Sequence, residues 1–322
     1  MSPPRPEPAV FAGSAAYSRR RPSGLNTPGP VLTIGNFDGV HHGHRALLGE
    51  VVAAAQSRGA PACVYTFDPP PRAVLAPSQA QPRITAWPDR VRLLGELGVD
   101  HVIVERFTRA FAQHPPSWFV DEVLGRRIAP VEIIVGYDFR FGKARAGTLD
   151  TVAERLTEVP IRAVQALERK GEVVSSSAIR RRVLAGDVMG AADFLGRPHL
   201  IRGVVVAGDR RGRTIGYRTA NVDCSAELLP AAGVYAVRAR VDGGAWHNGV
   251  ANLGVRPTFG AHGPLKVEVH LFDFRADIYG AELEIAVVHR IRGEQRFEGV
   301  EALVTQIRAD VDRARMLLAD DG

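Results

Sequence analysis

The densest chemistry in the chain lies in the run Gly35-Asn36-Phe37-Asp38-Gly39-Val40-His41-His42-Gly43-His44. Glycines at 35, 39 and 43 let backbone amides close on an anion, and a helix start just beyond adds partial positive charge. His41 and His44 bracket Gly43 in the order His-x-Gly-His. Imidazoles at that spacing can donate to phosphate oxygens and stabilise charge on a phosphorus centre under attack. A glycine-rich turn carrying surface histidines would leave the same residues.

Two further runs belong with this one by chemistry. In Val174-Ser175-Ser176-Ser177-Ala178-Ile179-Arg180 the hydroxyls suit a helix start that meets phosphate, and Arg180 can grip phosphate oxygens as a fork. Between the two lies Gly136-Tyr137-Asp138-Phe139-Arg140-Phe141-Gly142, with Arg145 and Gly147 beyond. A structural turn would equally account for that middle run taken alone.

The elements that must position these groups are readable from periodicity. Short apolar runs predict strands over 31–34, 62–67, 101–104 and 131–135, and helical spacing predicts helices over 44–57, 90–97 and 118–124. Such alternation predicts a parallel sheet covered by helices on both faces, with ligands at the carboxyl ends of strands, where Gly35 and Gly136 fall. A basic helix is expected from Ala178 to a stop at Gly186. From Leu200 the period changes to two. Runs over 234–241 and 267–274 alternate, with Val267, Val269 and Leu271 on one side and Glu268, His270 and Phe272 on the other. A small antiparallel barrel follows, closed by a terminal helix whose apolar stripe (Val300, Leu303, Val304, Ile307, Val311, Ala314, Leu318) reads as core packing.

At 322 residues the chain is long for one core. The expected division is a disordered proline-rich tail over 1–29, a first domain over 30–186, a linker over 187–199 and a second domain over 200–322. Cys63 and Cys224 share no metal-ligand spacing and read as free thiols. No apolar run has the length of a membrane span and no signal-type segment opens the chain, so the expected compartment is the cytoplasm. The net charge of +6 fits nucleic acid, a membrane surface or phosphorylated small molecules, and decides nothing by itself. No aromatic-interleaved nucleic-acid motif accompanies the basic runs, so nucleic acid is not an expected partner, and without a spanning run neither is a membrane.

Beyond residue 195 the chain reads Leu195-Gly196-Arg197-Pro198, Gly203-Val204-Val205, Thr219-Ala220-Asn221, Gly233-Val234-Tyr235 and Asn252-Leu253-Gly254-Val255-Arg256-Pro257-Thr258-Phe259. With the first-domain runs, this resembles the bacterial bifunctional riboflavin kinase/FAD synthetases over about residues 31–318. The resemblance implies a Rossmann-like nucleotidylyltransferase domain followed by a six-stranded antiparallel barrel. It implies two ATP-dependent reactions: riboflavin to FMN in the barrel, and FMN to FAD in the first domain. ATP for adenylylation would meet Gly35, Phe37, Asp38, Gly39, His41, Gly43, His44, Ser175, Ser176, Ser177 and Arg180. FMN would meet Asp138, Phe139, Phe141 and Arg145. In the barrel, Gly208, Gly212 and Arg213 match the loop over the nucleotide phosphates. Asn252, Arg256, Thr258, Arg292 and Phe297 match the flavin side, and Glu268 matches the base that takes the ribityl proton. Thr219 and Asn221, two apart, offer neutral oxygens on one side of an extended segment, suited to Mg²⁺ shared with ATP. A monomer or weak homo-oligomer is expected.

Two segments depart from the family pattern. Tyr217-Arg218 stands where Phe-Pro usually precedes Thr-Ala-Asn, and Pro70 stands where many members carry His. A paralogue with one weakened activity or a modified flavin substrate, or a flavin-binding protein without turnover, would also accommodate them. Proline fixes φ and presets a turn, so Arg218 is expected to weaken the kinase without abolishing it. Comparing turnover and Mg²⁺ dependence of the native chain and Arg218→Pro checks this: the variant should turn over faster, and unchanged kinetics would refute the expectation.

Overall fold

The computed structural model describes residues 6–20, 28–207, 217–224, 228–255 and 265–319. The chain divides into two compact units, Met1–Gln81 with Trp87–Val174, and Pro82–Ala86 with Ser175–Gly322.

The first unit is built on six parallel strands: β1 Ala9–Phe11, β2 Val31–Ile34, β3 Ala62–Phe67, β4 His101–Glu105, β5 Glu132–Gly136 and β6 Ile161–Val164. Their spatial order is β1-β4-β3-β2-β5-β6. The chain therefore builds outward from β2 through β3 to β4, then returns to place β5 on the other flank of β2. That reversal opens a crevice at the carboxyl ends of β2 and β5. All four residues of β2 are buried, the mark of a strand covered on both faces. Helix His42–Arg58 buries Leu47, Leu48, Val51 and Ala55, ending at Gly59 in the left-handed region. The helix expected over 118–124 runs on to Ile128 with π-type hydrogen bonding over Phe119–Ile128. This wider pairing buries Phe119, Val120, Val123, Leu124 and Ile128 together.

The expected disordered tail is corrected by the structure. Residues 9–11 form β1, parallel to β4, and Ser14–Arg20 is a helix. Proline richness misled because the folded part needs little apolar sequence: Phe11, Tyr17 and His101 pack edge to face. The anchor is Glu105. Its Oε2 accepts from the Ser14 backbone N at 2.9 Å, from Ser14 Oγ at 2.7 Å and from the Tyr65 hydroxyl at 3.0 Å. Burial, then the Glu105 charge, pushes the Tyr65 phenol up, so it donates at any working pH.

An antiparallel pair, β7 Glu168–Arg169 and β8 Glu172–Val173, follows β6. In the second unit β9 His199–Val206, β10 Ala220–Asp223, β11 Gly233–Val241, β12 His247–Val255, β13 Leu265–Leu271 and β14 Glu282–Arg292 close an antiparallel barrel in the order β10-β13-β12-β11-β14-β9. Val267, Val269 and Leu271 point into its core with Tyr235, Val237, Leu253 and Ile285. The outer residues Val234, Ala236, Val250 and Phe272 are covered by Val311, Ala314 and Leu318 of helix Val300–Ala319. Strand β13 stops at Leu271, short of the expected 274, because Asp273 turns with φ 57°. The expected linker over 187–199 is also corrected: Val188–Leu195 is a helix, with Asp187 accepting from Gly190 N.

Ser14 is fully buried. Removing a hydrogen bond to a carboxylate costs about 1.5–3 kcal/mol, so Ser14→Ala should destabilise the first unit by that amount. Calorimetric unfolding checks it; a transition matching the native chain would remove the anchoring role from Ser14.

Candidate active sites

At the end of β2 the backbone turns tightly. Phe37 and Val40 both hold left-handed φ, 49° and 43°, a conformation that a β-branched residue adopts at a cost. Buried Arg90 restrains the turn: its Nη1 donates to Asn36 O at 3.1 Å and its Nη2 to Asp38 Oδ1 at 3.3 Å. The turn delivers His41 as the N-cap of helix His42–Arg58, its Nδ1 accepting from His44 N at 3.3 Å. A neutral His41 therefore carries its proton on Nε2.

The His44 ring stacks on His41, with centroids 3.6 Å apart. Gly43 is what permits this, since a Cβ there would sit 3.3 Å from the His41 ring and 3.2 Å from Val174 O. His44 Nδ1 is buried with no hydrogen-bond partner among the described residues. Burial, then the charges of His41 and Arg90, holds His44 well below the ordinary 6.5. The result is a neutral His44 imidazole stacked on His41 beside a helix start.

On the neighbouring strand β5, Gly136 begins the second turn, with Phe139 N donating to Gly136 O at 3.1 Å. Phe141 bridges back to Gly147 and stacks on Phe139 with centroids 5.4 Å apart. Asp138 and Arg145 are exposed. Sequence reasoning missed the aromatic cluster behind this turn: Phe119 meets Phe141, and Phe111 meets Phe67, Phe107, Trp118 and Phe119. Those rings are scattered over four segments, with no spacing to join them. Pro70 opens the short helix Pro71–Leu75 as its N-cap without a side-chain bond.

Helix Ser176–Ala185 starts two residues before the expected Ala178, within the serine run. Ser175 caps it, its Oγ accepting from Ala178 N at 3.2 Å, and Gly186 ends it at φ 78°. Ser177 is exposed and Ser176 partly so, and Arg180 Nε donates to Pro82 O at 3.2 Å.

Cross-strand register brings the barrel residues together. Glu268 on β13 pairs with Asn221 on β10 and with Asn252 on β12, so the three side chains form a row on the outer face. Glu268, Asn252, Thr219, Arg292 and Phe297 line one cavity of about 370 Å³, with His270, Glu294, Leu303, Ile307 and Asp310. Part of the terminal helix stripe thus faces a cavity rather than the core. Arg292 is held there by Asp310 through Nε at 3.0 Å and Nη2 at 2.7 Å, with Gln306 donating to the same carboxylate at 2.9 Å. A smaller cavity of about 140 Å³ is lined by Arg218, Thr219, Ala220, Phe274, Ile278 and Tyr279, among others. Thr219 lines both. His270 Nδ1 donates to Arg218 O at 2.8 Å and so restrains the backbone that a proline would have preset. Gly208, Gly212, Arg213, Arg256 and Thr258 lie outside the described residues.

The family model for FAD synthetase matches residues 25–178 and that for riboflavin kinase matches residues 195–318. Curated relatives from several bacteria carry the name bifunctional riboflavin kinase/FMN adenylyltransferase. That from Pseudomonas fluorescens is 40% identical, covering 90% of this chain and 94% of its own. The Escherichia coli K12 relative is 39% identical over 89% and 92%, and the Bacillus subtilis relative 38% over 88% and 91%. A crystal structure described as a macrolide-efflux protein from Streptococcus pneumoniae superposes with a TM-score of 0.83 at 30% identity, covering 95% of this chain and 98% of that one. Among the described residues no helix is long and apolar enough to cross a membrane.

The depressed His44 has a signed consequence. As pH falls below 6.5 an unfolded His44 takes up a proton that the folded one refuses, so stability is full above that value and declines below it. His44→Gln should flatten this slope. Unfolding midpoints at pH 7.5 and 5.5 check it: the native chain should lose more than the variant, and parallel losses would contradict the assignment.

Proposed function

The chain belongs to the bifunctional riboflavin kinase/FMN adenylyltransferase family, and on that premise we propose how its residues divide the two reactions. It is a riboflavin kinase and FAD synthetase that uses ATP in both steps. The proposed working domains are 30–186 for adenylyl transfer and 200–322 for the kinase.

For the kinase, the observation that carries the reading is Thr219, which lines both barrel cavities. The smaller, with Phe274, Ile278 and Tyr279 on its wall, suits the adenine of ATP. The larger, with Phe297, Leu303 and Ile307, suits the flavin. Phosphates would then pass Thr219 and Asn221 at the junction. Asn221 Oδ1, buried without a partner among the described residues, fits an oxygen ligand, so Thr219 and Asn221 are the residues assigned to Mg²⁺. When bound, that ion would neutralise phosphate charge. Glu268 takes the proton of the ribityl hydroxyl, whose oxygen bonds to the γ-phosphorus as ADP leaves with the electron pair. Arg292, clamped by Asp310, holds the flavin side with Asn252, Arg256, Thr258 and Phe297. Gly208, Gly212 and Arg213 cover the nucleotide phosphates.

For adenylyl transfer, a phosphate oxygen of FMN attacks the α-phosphorus of ATP and pyrophosphate leaves. The buried, unpartnered Nδ1 of His44 and the Nε2–H of His41 support assigning both to the phosphate oxygens, with Gly35, Phe37, Asp38, Gly39 and Gly43 shaping the loop. Ser175, Ser176, Ser177 and Arg180 are assigned to the same triphosphate, and Asp138, Phe139, Phe141 and Arg145 to FMN. The reading takes the cytoplasm as the compartment and a monomer or weak homo-oligomer as the working unit.

One incubation with riboflavin, ATP and Mg²⁺, followed by chromatography of the three flavins, tests the division. His44→Ala should stop the sequence at FMN and Glu268→Ala at riboflavin. Normal FAD production by His44→Ala would overturn the first assignment, and FMN formation by Glu268→Ala the second.

A further inference from the structure

Strand β13 carries a charged neighbour of Glu268 on the same outer face. Lys266 precedes Glu268 by two residues, and its Nζ lies 2.6 Å from Glu268 Oε1. In register, Lys266 stands opposite Gly254 as Glu268 stands opposite Asn252. Gly254 presents no side chain there, and a Cβ on it would come 2.7 Å from Glu294 Oε1. The gap left by Gly254 therefore gives Glu294, another wall residue of the larger cavity, its place beside the lysine's strand position.

The ion pair is partly open to solvent, with side chains 22% and 30% exposed. Pairs so exposed contribute little to folding, so stability does not explain it. Its geometric effect is larger. A glutamate has three side-chain torsions to order, and a charge-assisted bond to one carboxylate oxygen selects among them. In a loose phosphoryl transfer the placement of the base matters more than its strength.

We propose that Lys266 is a positioning residue of the kinase reaction: it ties down Oε1 of Glu268 so that Oε2 is the atom offered to the hydroxyl being phosphorylated. This rests on Glu268 acting as the base. Lys266 touches neither substrate in this role and acts through the carboxylate alone.

The test uses the full chain, with riboflavin kinase kinetics for the native protein, Lys266→Met, Lys266→Arg, Glu268→Gln and the Lys266→Met/Glu268→Gln double variant. FMN adenylylation is read in parallel as a check on folding. Lys266→Met should lower kinase kcat by about tenfold, well short of the roughly 10²–10⁴-fold of a positioned base. Both KM values should hold within about twofold. Lys266→Arg should recover most of the rate, and Lys266→Met should cost nothing further once Glu268 is Gln. An unchanged kcat in Lys266→Met, with Glu268→Gln inactive, overturns the role of Lys266 and leaves the base in place. A loss confined to KM overturns it as well, because it would make Lys266 a substrate contact. Full activity in Glu268→Gln overturns the base assignment on which the proposal rests.

Discussion

The reversal of strand order between β2 and β5 is the constraint on which the first unit depends. Two adjacent parallel strands whose chains depart in opposite directions leave their carboxyl ends uncovered by a connection, and both glycine turns empty into that gap. The loop after β2 cannot relax into an ordinary turn there. It passes through two left-handed non-glycine residues and is restrained by a buried Arg90–Asp38 pair. A lone surface pair would do little; here both side chains are nearly sealed, and each bond to the loop carries weight. The stacked histidines follow from that restraint.

The barrel solves a different problem with register. Asn221, Glu268 and Asn252 come from three sequence-distant strands, yet antiparallel pairing sets them side by side. A slip of β13 by one residue would turn Glu268 into the apolar core, away from both asparagines, and turn Val267 and Val269 out. The interior packing of those valines therefore sets the position of the polar row as firmly as any contact within the row does.

Much of this was legible in the chain. Strands β2 and β3 fall where periodicity puts them, because buried parallel strands leave short unbroken apolar runs. The His-x-Gly-His run, the serine cap and Gly186 are local signals, written within a few residues of where they act. Features made of separated pieces were not legible. The Phe111 cluster and the Asp310 clamp on Arg292 depend on tertiary placement, and neither has a spacing. The first residues misled for a third reason. Their proline content is that of a disordered segment, while Glu105, far along the chain, supplies the acceptor that orders them.

That last dependence has a consequence for how the molecule is made. Ala9 pairs with His101, so the edge that β1 joins does not exist until β4 has been synthesised and added to β3. At ribosomal speeds of about 5–20 residues per second, the emerging segment waits roughly 5–20 s with Phe11 and Tyr17 in water. Its prolines and arginines then read as protection: they keep an unpaired strand soluble and averse to pairing with other nascent chains until its own sheet arrives.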